Sequence, residues 1–231
     1  VVLASSQKTV FASLGVKKSR MKVIPTGIDV SNFRVLGGVR QAVRQELGVS
    51  NDVVIGFVGR FFAEKNLFSL LESFAQASKC ANKMKLVLVG TGPLEEQLRT
   101  FCHELSIDDR VVFTGFRDDV NQLLSALDVF VLPSYTEGCP TALLEAMASG
   151  KAIISSNIPS IKEIVRHGKE AILVDPYDAK ELKQAILLLY SNSNLRAELG
   201  HNAEKRAGVY NIQEVCGQVL KLYKELIHLA D

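Results

Sequence analysis

The sequence predicts an α/β protein built on a doubly wound, all-parallel sheet, and two observations carry that expectation. Short β-branched runs bounded by Gly, Pro or Asp alternate with helical patterns through most of the chain. Most of those runs are apolar at successive positions, as strands covered by helices on both faces tend to be.

Taken in order, residues 5–15 read as a short helix, and Lys22-Val-Ile-Pro25-Thr-Gly27-Ile-Asp29 as a strand running into a turn. A Gly37-Gly38 loop and a helix at 40–47 lead to the first strand of the repeating unit, 53–59, and a helix at 66–79. Further strands are read at 85–90, 110–114, 128–132, 152–155 and 171–174, with helices at 93–105, 118–126, 140–149, 159–166 and 178–191 between and after them. Pro140 suits the first helical position, where its missing N–H costs nothing. After about residue 193 two helices follow, 194–207 and 212–229, with no strand between them. There is neither an internal repeat nor a low-complexity segment.

At 231 residues the chain can build one substantial α/β domain with extra elements, or two small ones. Its 47% hydrophobic and 23% charged residues are ordinary for a soluble globular protein. A net charge of +2 gives no general pull toward nucleic acid or an anionic membrane. The four cysteines (80, 102, 139, 216) and four histidines (103, 167, 201, 228) are scattered, without C-x-x-C or metal-ligand spacing. Free thiols in a reducing compartment are therefore expected, and no disulfide or zinc framework. No stretch is long and apolar enough to span a bilayer. The chain opens on Val1-Val-Leu-Ala without a methionine and reads as part of something longer.

In open parallel sheets, ligands bind beyond the carboxyl ends of the strands where strand order reverses. The chemically informative residues fall at such ends. Arg60 ends the first strand beside Gly59, and Lys65 follows just ahead of a helix, a guanidinium and an ammonium able to clamp a diphosphate. Gly90-Thr91-Gly92-Pro93 ends the second strand, but Glu95 stands where a dinucleotide glycine pattern needs glycine. Gly150-Lys151 lacks the remainder of a Walker motif. Gly115-Phe116-Arg117 ends the third strand, where backbone groups could meet a base; Arg117 itself reads as part of an ordinary turn.

The densest signal is Ser134-Tyr-Thr-Glu137-Gly-Cys-Pro140-Thr-Ala-Leu-Leu-Glu145-Ala-Met-Ala148. Glu145 is the lone charge on an otherwise apolar helix, and a buried carboxylate is costly unless something hydrogen-bonds to it. Glu137 waits in the loop ahead of that helix, whose N-terminus offers free N–H groups and partial positive charge to an anion. Two carboxylates for hydroxyls, flanking an anion seat, describe a sugar-nucleotide site. Cys139 reads as a small packing residue, and the basic run Lys17–Lys22 as a solvated loop with lipid contact the lesser reading.

With these residues in hand, the chain resembles the donor-binding, C-terminal half of retaining GT-B glycosyltransferases of family 4 (glycosyl transferases group 1) over roughly residues 22 to 205. Ile24-Pro-Thr-Gly-Ile-Asp29 resembles the interdomain "PNGID" turn, and Phe57-Val-Gly-Arg60 with Lys65 the "VGR…KG" segment. Leu88-Val-Gly-Thr-Gly-Pro93 resembles "LVGxGP", and Glu137-x7-Glu145 is the paired-glutamate (EX7E) signature. Glu163-Ile-Val, Gly168 and Leu173-Val-Asp-Pro176 fit downstream. The resemblance implies a Rossmann-like fold, with residues 1–48 the tail of an N-terminal domain plus linker. It makes 49–205 the nucleotide-sugar domain, and 206–231 a helix crossing back to that other domain.

It also implies roles. Arg60 and Lys65 would hold the donor diphosphate and neutralise the leaving group, while Glu137 contacts the transferred sugar; these three are the expected catalytic residues. Glu145 would take the ribose hydroxyls. The backbone of Gly138, Cys139, Pro140, Thr141, Ala142 and Leu143 would surround sugar and phosphate, with Gly59, Gly90, Gly92, Gly115 and Phe116 completing the donor site. The expected partners are a nucleotide-diphosphate sugar and the chain's own N-terminal domain, with no nucleic acid. Membrane contact is expected only through the parent protein, a cytoplasmic enzyme lying peripherally at the membrane, and the fragment is expected to dimerise. No D-x-D triplet occurs, so no cofactor and no metal is expected. Three departures stand out: Thr26 in the interdomain turn, Asn66 where glycine usually follows the lysine, and Ser156-Asn-Ile-Pro-Ser160 in place of a glycine-rich loop. A non-catalytic nucleotide-sugar module and a nucleotide-sugar epimerase on the same scaffold remain as alternatives, since one fold hosts many functions.

Overall fold

The computed structural model describes residues 1–33 and 38–227. Six strands, β1 (Val53–Val58), β2 (Met84–Val89), β3 (Val111–Gly115), β4 (Val129–Leu132), β5 (Ala152–Ser156) and β6 (Ile172–Val174), form one sheet in the order β3-β2-β1-β4-β5-β6. Every neighbouring pair is parallel. This is the doubly wound, Rossmann-like sheet expected from the apolar strand runs, and the six strands expected between residues 53 and 174 are all present. Strand order reverses between β1 and β4, so the crevice beyond their carboxyl ends is where such a sheet accepts ligands.

Ten α-helices surround the sheet among the described residues: α1 (Ser5–Ser13), α2 (Val39–Glu46), α3 (Leu67–Ser78), α4 (Glu95–Glu104), α5 (Val120–Ala126), α6 (Thr141–Ala148), α7 (Pro159–Ile164), α8 (Ala179–Ser191), α9 (Ser193–Ala207) and α10 (Ile212–Ile227). They pack in two groups. One joins α3 to α4 and α8; the other joins α5 to α2 and α6, and α6 to α9. The central strands are buried on both faces, with Ile55, Phe57, Leu86, Leu88, Phe130, Val131, Ile153 and Ile154 fully enclosed. At the amino end of the sheet, Asp128 accepts bonds from Arg40 (2.6 Å), Arg44 (3.3 Å) and the Val54 N–H (2.8 Å), tying α2 to the first and fourth strands.

Two local expectations are corrected. Residues 22–29 form no strand: the segment makes only isolated bridges, Val2 to Val23 and Ile28 to Asn211. Pro25 removes one donor, and the following turn is consumed by packing, because the Ile28 N–H bonds Tyr210 O (2.9 Å) and the Ile212 N–H returns to Ile28 O (2.7 Å). Gly27 sits so close to Ile212 that a Cβ there would lie 3.0 Å from its Cα, so the turn is clasped to the start of α10. Pro140 is the N-cap of α6, with φ −69° and ψ 115°, and Thr141 takes the first helical position. Gly37 and residues 228–229, read from sequence as a loop and a helix end, lie outside the described residues.

Candidate functional site

The loops that leave β1, β4 and β6 meet above the crevice. From β1, Gly59 and Arg60 lead into a short 3-10 turn, Ala63–Lys65. The loops after β1 and β2 lie against each other: Gly59 N–H bonds Val89 O (3.0 Å) and Phe61 N–H bonds Thr91 O (2.9 Å). Gly90, at φ +129°, shows why this needs glycine, since a Cβ there would stand 2.0 Å from Gly59 O. Gly92 is similarly pressed on the Phe61 backbone, at 2.5 Å. The immediate work of these two glycines is therefore to let the loops bearing Arg60 and Lys65 close on one another.

Lys65 and Glu137 come together. Lys65 Nζ lies 2.6 Å from Glu137 Oε1, and the side chains are only 16% and 8% exposed. Their sequence separation of 72 is bridged by the adjacency of β1 and β4 in the sheet. An ammonium has three donors, so two remain for another acceptor once Glu137 has taken one. Arg60 is exposed and rests over the Phe62 ring, 4.8 Å from its centroid. Its guanidinium has no carboxylate partner among the described residues and is steadied by the ring face.

The helix α6 starts at this point. The Leu143 and Leu144 N–H groups return to Pro140 O, at 3.1 and 3.4 Å, whereas Thr141 and Ala142 hold first-turn N–H groups that the helix does not use. One turn inside, Glu145 is half-buried, and burial pushes its carboxyl above the ordinary range. Its carboxylate finds no hydrogen-bond partner among the described residues, the situation its apolar surroundings in sequence foreshadowed. Cys139, 8% exposed, has its thiol pushed up by burial. A packing thiol, not a nucleophile, is what that environment gives.

The remaining predicted residues lie further out, although Gly115 O accepts from the Gly90 N–H (2.9 Å) and so joins the β3 loop to the β2 loop. Gly115 and Phe116 lie at the end of β3, the sheet edge, three strands from β4; Gly115 faces open space and Phe116 is 79% exposed. Arg117 is committed elsewhere, to Asp119 (2.7 Å) and Glu46 (2.5 Å), which agrees with reading it as structural. Gly138 lies under Gln7, and that contact introduces a feature the sequence did not disclose: α1 forms one wall of the site. The Ser5 and Ser6 N–H groups donate to Glu163 at 2.6 and 2.8 Å, holding the start of α1 over α7 and keeping the Glu163 carboxyl low despite its burial. Beside Glu137 this leaves an open cavity of about 390 Å³, lined among others by Gln7, Phe11, Tyr135, Thr136 and Ser160. Sequence also missed the stacked pair Tyr135 and Tyr177, rings 5.0 Å apart, because they meet only through the β4 and β6 loops.

Free first-turn N–H groups at a helix start, two cations and two carboxylates thus gather at the switch point of a doubly wound sheet, where such sheets accept ligands. Residues 39–206 match Glycosyl transferases group 1, and the chain belongs to that family. It is 30% identical over 219 residues to N,N'-diacetylbacillosaminyl-diphospho-undecaprenol alpha-1,3-N-acetylgalactosaminyltransferase of Campylobacter jejuni, spanning 93% of this chain and 57% of that protein. HepE of Anabaena, solved with UDP and glucose, superimposes with a TM-score of 0.90 at 26% identity, over 96% of this chain and 62% of that one. The C-terminal domain of the group 1 protein LpcC from Francisella tularensis is covered completely, with a TM-score of 0.73 at 26% identity over 80% of this chain. The fold is thus that of GT-B-like glycosyltransferases, and the chain spans little more than half the length of the first two of these proteins.

Proposed function

We propose that the chain is the donor-binding half of a retaining, metal-independent family 4 hexosyltransferase, moving a sugar from a nucleotide diphosphate to an acceptor in glycan or glycolipid assembly. The observation that carries this is the convergence of the Lys65–Glu137 pair with the start of α6 and the unpartnered Glu145 at the β1/β4 switch point. UDP is the favoured nucleotide, since HepE was solved with it.

On this reading Glu145 accepts the ribose hydroxyls, which are the partners its buried carboxylate lacks. The diphosphate lies between Arg60, Lys65 and the first N–H groups of α6. As the glycosidic bond stretches toward an oxocarbenium-like state, negative charge grows on the departing diphosphate. Positive charge already fixed in place stabilises that growth without reorganising. Lys65 is already fixed, because Glu137 holds its ammonium, and Glu137 stands beside the cavity that would take the sugar. The acceptor side is contributed by the rest of the parent enzyme, so the chain alone binds donor and turns over little or none.

Calorimetric titration with UDP, GDP and ADP and their sugar conjugates, with EDTA and then with added magnesium or manganese, tests the assignment. One nucleotide is expected to bind equally well under both conditions, and Arg60→Ala or Glu145→Ala to abolish it. Binding that needs the metal removes the metal-independent mechanism. Absence of binding at millimolar nucleotide removes the donor-site reading of this chain.

A further inference from the structure

Asn66 is 4% exposed and occupies the residue after Lys65 with φ 56° and ψ 39°, a left-handed conformation that asparagine tolerates better than most residues. That backbone geometry accounts for glycine's fitness at the same place. The asparagine side chain then adds something glycine cannot. Its Nδ2 donates to Pro133 O (3.2 Å) in the loop after β4 and to Pro176 O (2.8 Å) in the loop after β6. The same three loops are joined by Tyr135 N–H to Glu64 O (2.9 Å), by the Tyr135–Tyr177 stack, and by the Lys65–Glu137 pair.

Of these ties, the ion pair is the one a ligand disturbs, because a diphosphate competes with Glu137 for the ammonium. The amide of Asn66 lies below, buried, and needs no rearrangement when Lys65 changes partner. We propose that Asn66 is a positioning residue: its amide fixes the β1 loop to the β4 and β6 loops, so that Lys65 stays in place for the diphosphate while its bond to Glu137 is being shared. The inference rests on the donor-site reading above and extends it to a residue outside the ligand's reach.

Asn66→Gly is the informative variant, because it keeps the left-handed backbone and removes only the two amide bonds. UDP and uridine titrations separate positioning of Lys65 from general loosening, since uridine has no phosphate for Lys65 to meet. Asn66→Gly should weaken UDP about tenfold, the scale of one or two buried hydrogen bonds. Uridine should stay within about twofold, and in a Lys65→Ala background Asn66→Gly should have no further effect on UDP. Amide exchange gives a ligand-free reading: the Tyr135 N–H should exchange faster in Asn66→Gly while the Phe57 N–H of β1 keeps its protection. Unchanged UDP affinity, parallel loss of UDP and uridine, additive effects with Lys65→Ala, or unchanged Tyr135 exchange each overturn the proposal. If the glycine variant loses its native fold, Asn66→Ala, which is neutral and has no side-chain donor, decides by the same comparisons. A wild-type chain that binds none of UDP, GDP and ADP overturns the donor-site reading and this role together. A wild-type chain that binds UDP beside an unaffected Asn66→Gly overturns only the role of Asn66.

Discussion

A carboxylate such as Glu145 shows how a single residue can trade stability for binding. Burial alone raises its affinity for a proton, and nothing among the described residues offsets the cost of its charge. The unfolded chain releases this proton near the ordinary value of 4.5, whereas the folded chain retains it to higher pH. Between those points the folded state binds more protons, so this residue makes stability fall as pH rises. Glu145→Gln is therefore expected to be more stable than wild type in urea unfolding at neutral pH, with the gap closing below about pH 4.5. A gap constant across pH would mean that desolvation is not the cause. The same variant should lose nucleotide binding, as groups held for function commonly cost stability.

At the scale of elements, two helical glycines that look alike in sequence should respond in opposite ways. Gly200 lies inside α9 where that helix crosses the turn between α6 and β5, and a Cβ on it would stand 2.2 Å from Gly150 O. Backbone cannot give way as a flexible side chain can, so Gly200→Ala should destabilise by about 1–3 kcal/mol although alanine is the better helix former. Gly217 lies inside α10 with nothing within 4 Å of its would-be Cβ. Gly217→Ala should therefore stabilise by about 0.5–1 kcal/mol. Urea unfolding of the pair checks both signs, and equal responses would show that α9 is not pressed on the β5 turn.

For the molecule as a whole, the notable surface is apolar. In α10 only Val215 is buried, while Ile212, Leu220, Tyr223 and Ile227 are exposed at helical spacing along one stripe. Val10, Phe11 and Leu14 are likewise exposed on and after α1. An exposed apolar stripe such as that of α10 is a common site of protein–protein contact. Concentration-dependent self-association of the chain is therefore expected in sedimentation velocity, and Leu220→Lys with Tyr223→Lys should shift it toward monomer. A monomer at all concentrations would contradict that. No described helix is long and apolar enough to cross a membrane.

Much of this protein was legible before any coordinates. Strands such as Val53–Val58 and Val129–Leu132 are written by uninterrupted apolar runs, because burial on both faces leaves no polar position to disguise them. Glu145 and the start of α6 were legible for the same reason, as one charge against an apolar helix stands out in any reading. The segment 22–29 was misread because β-propensity is local, whereas its partners, Tyr210 and Ile212, lie more than 180 residues away. Distance along the chain likewise hid the Lys65–Glu137 pair as a contact, the Asn66 ties to Pro133 and Pro176, and the docking of α1 on Glu163. Periodicity records how much of a residue is buried, and so it determined the sheet and its helices. Which loops touch depends on strand order, and the reversal between β1 and β4 that assembles the site was decided only when the sheet closed in three dimensions.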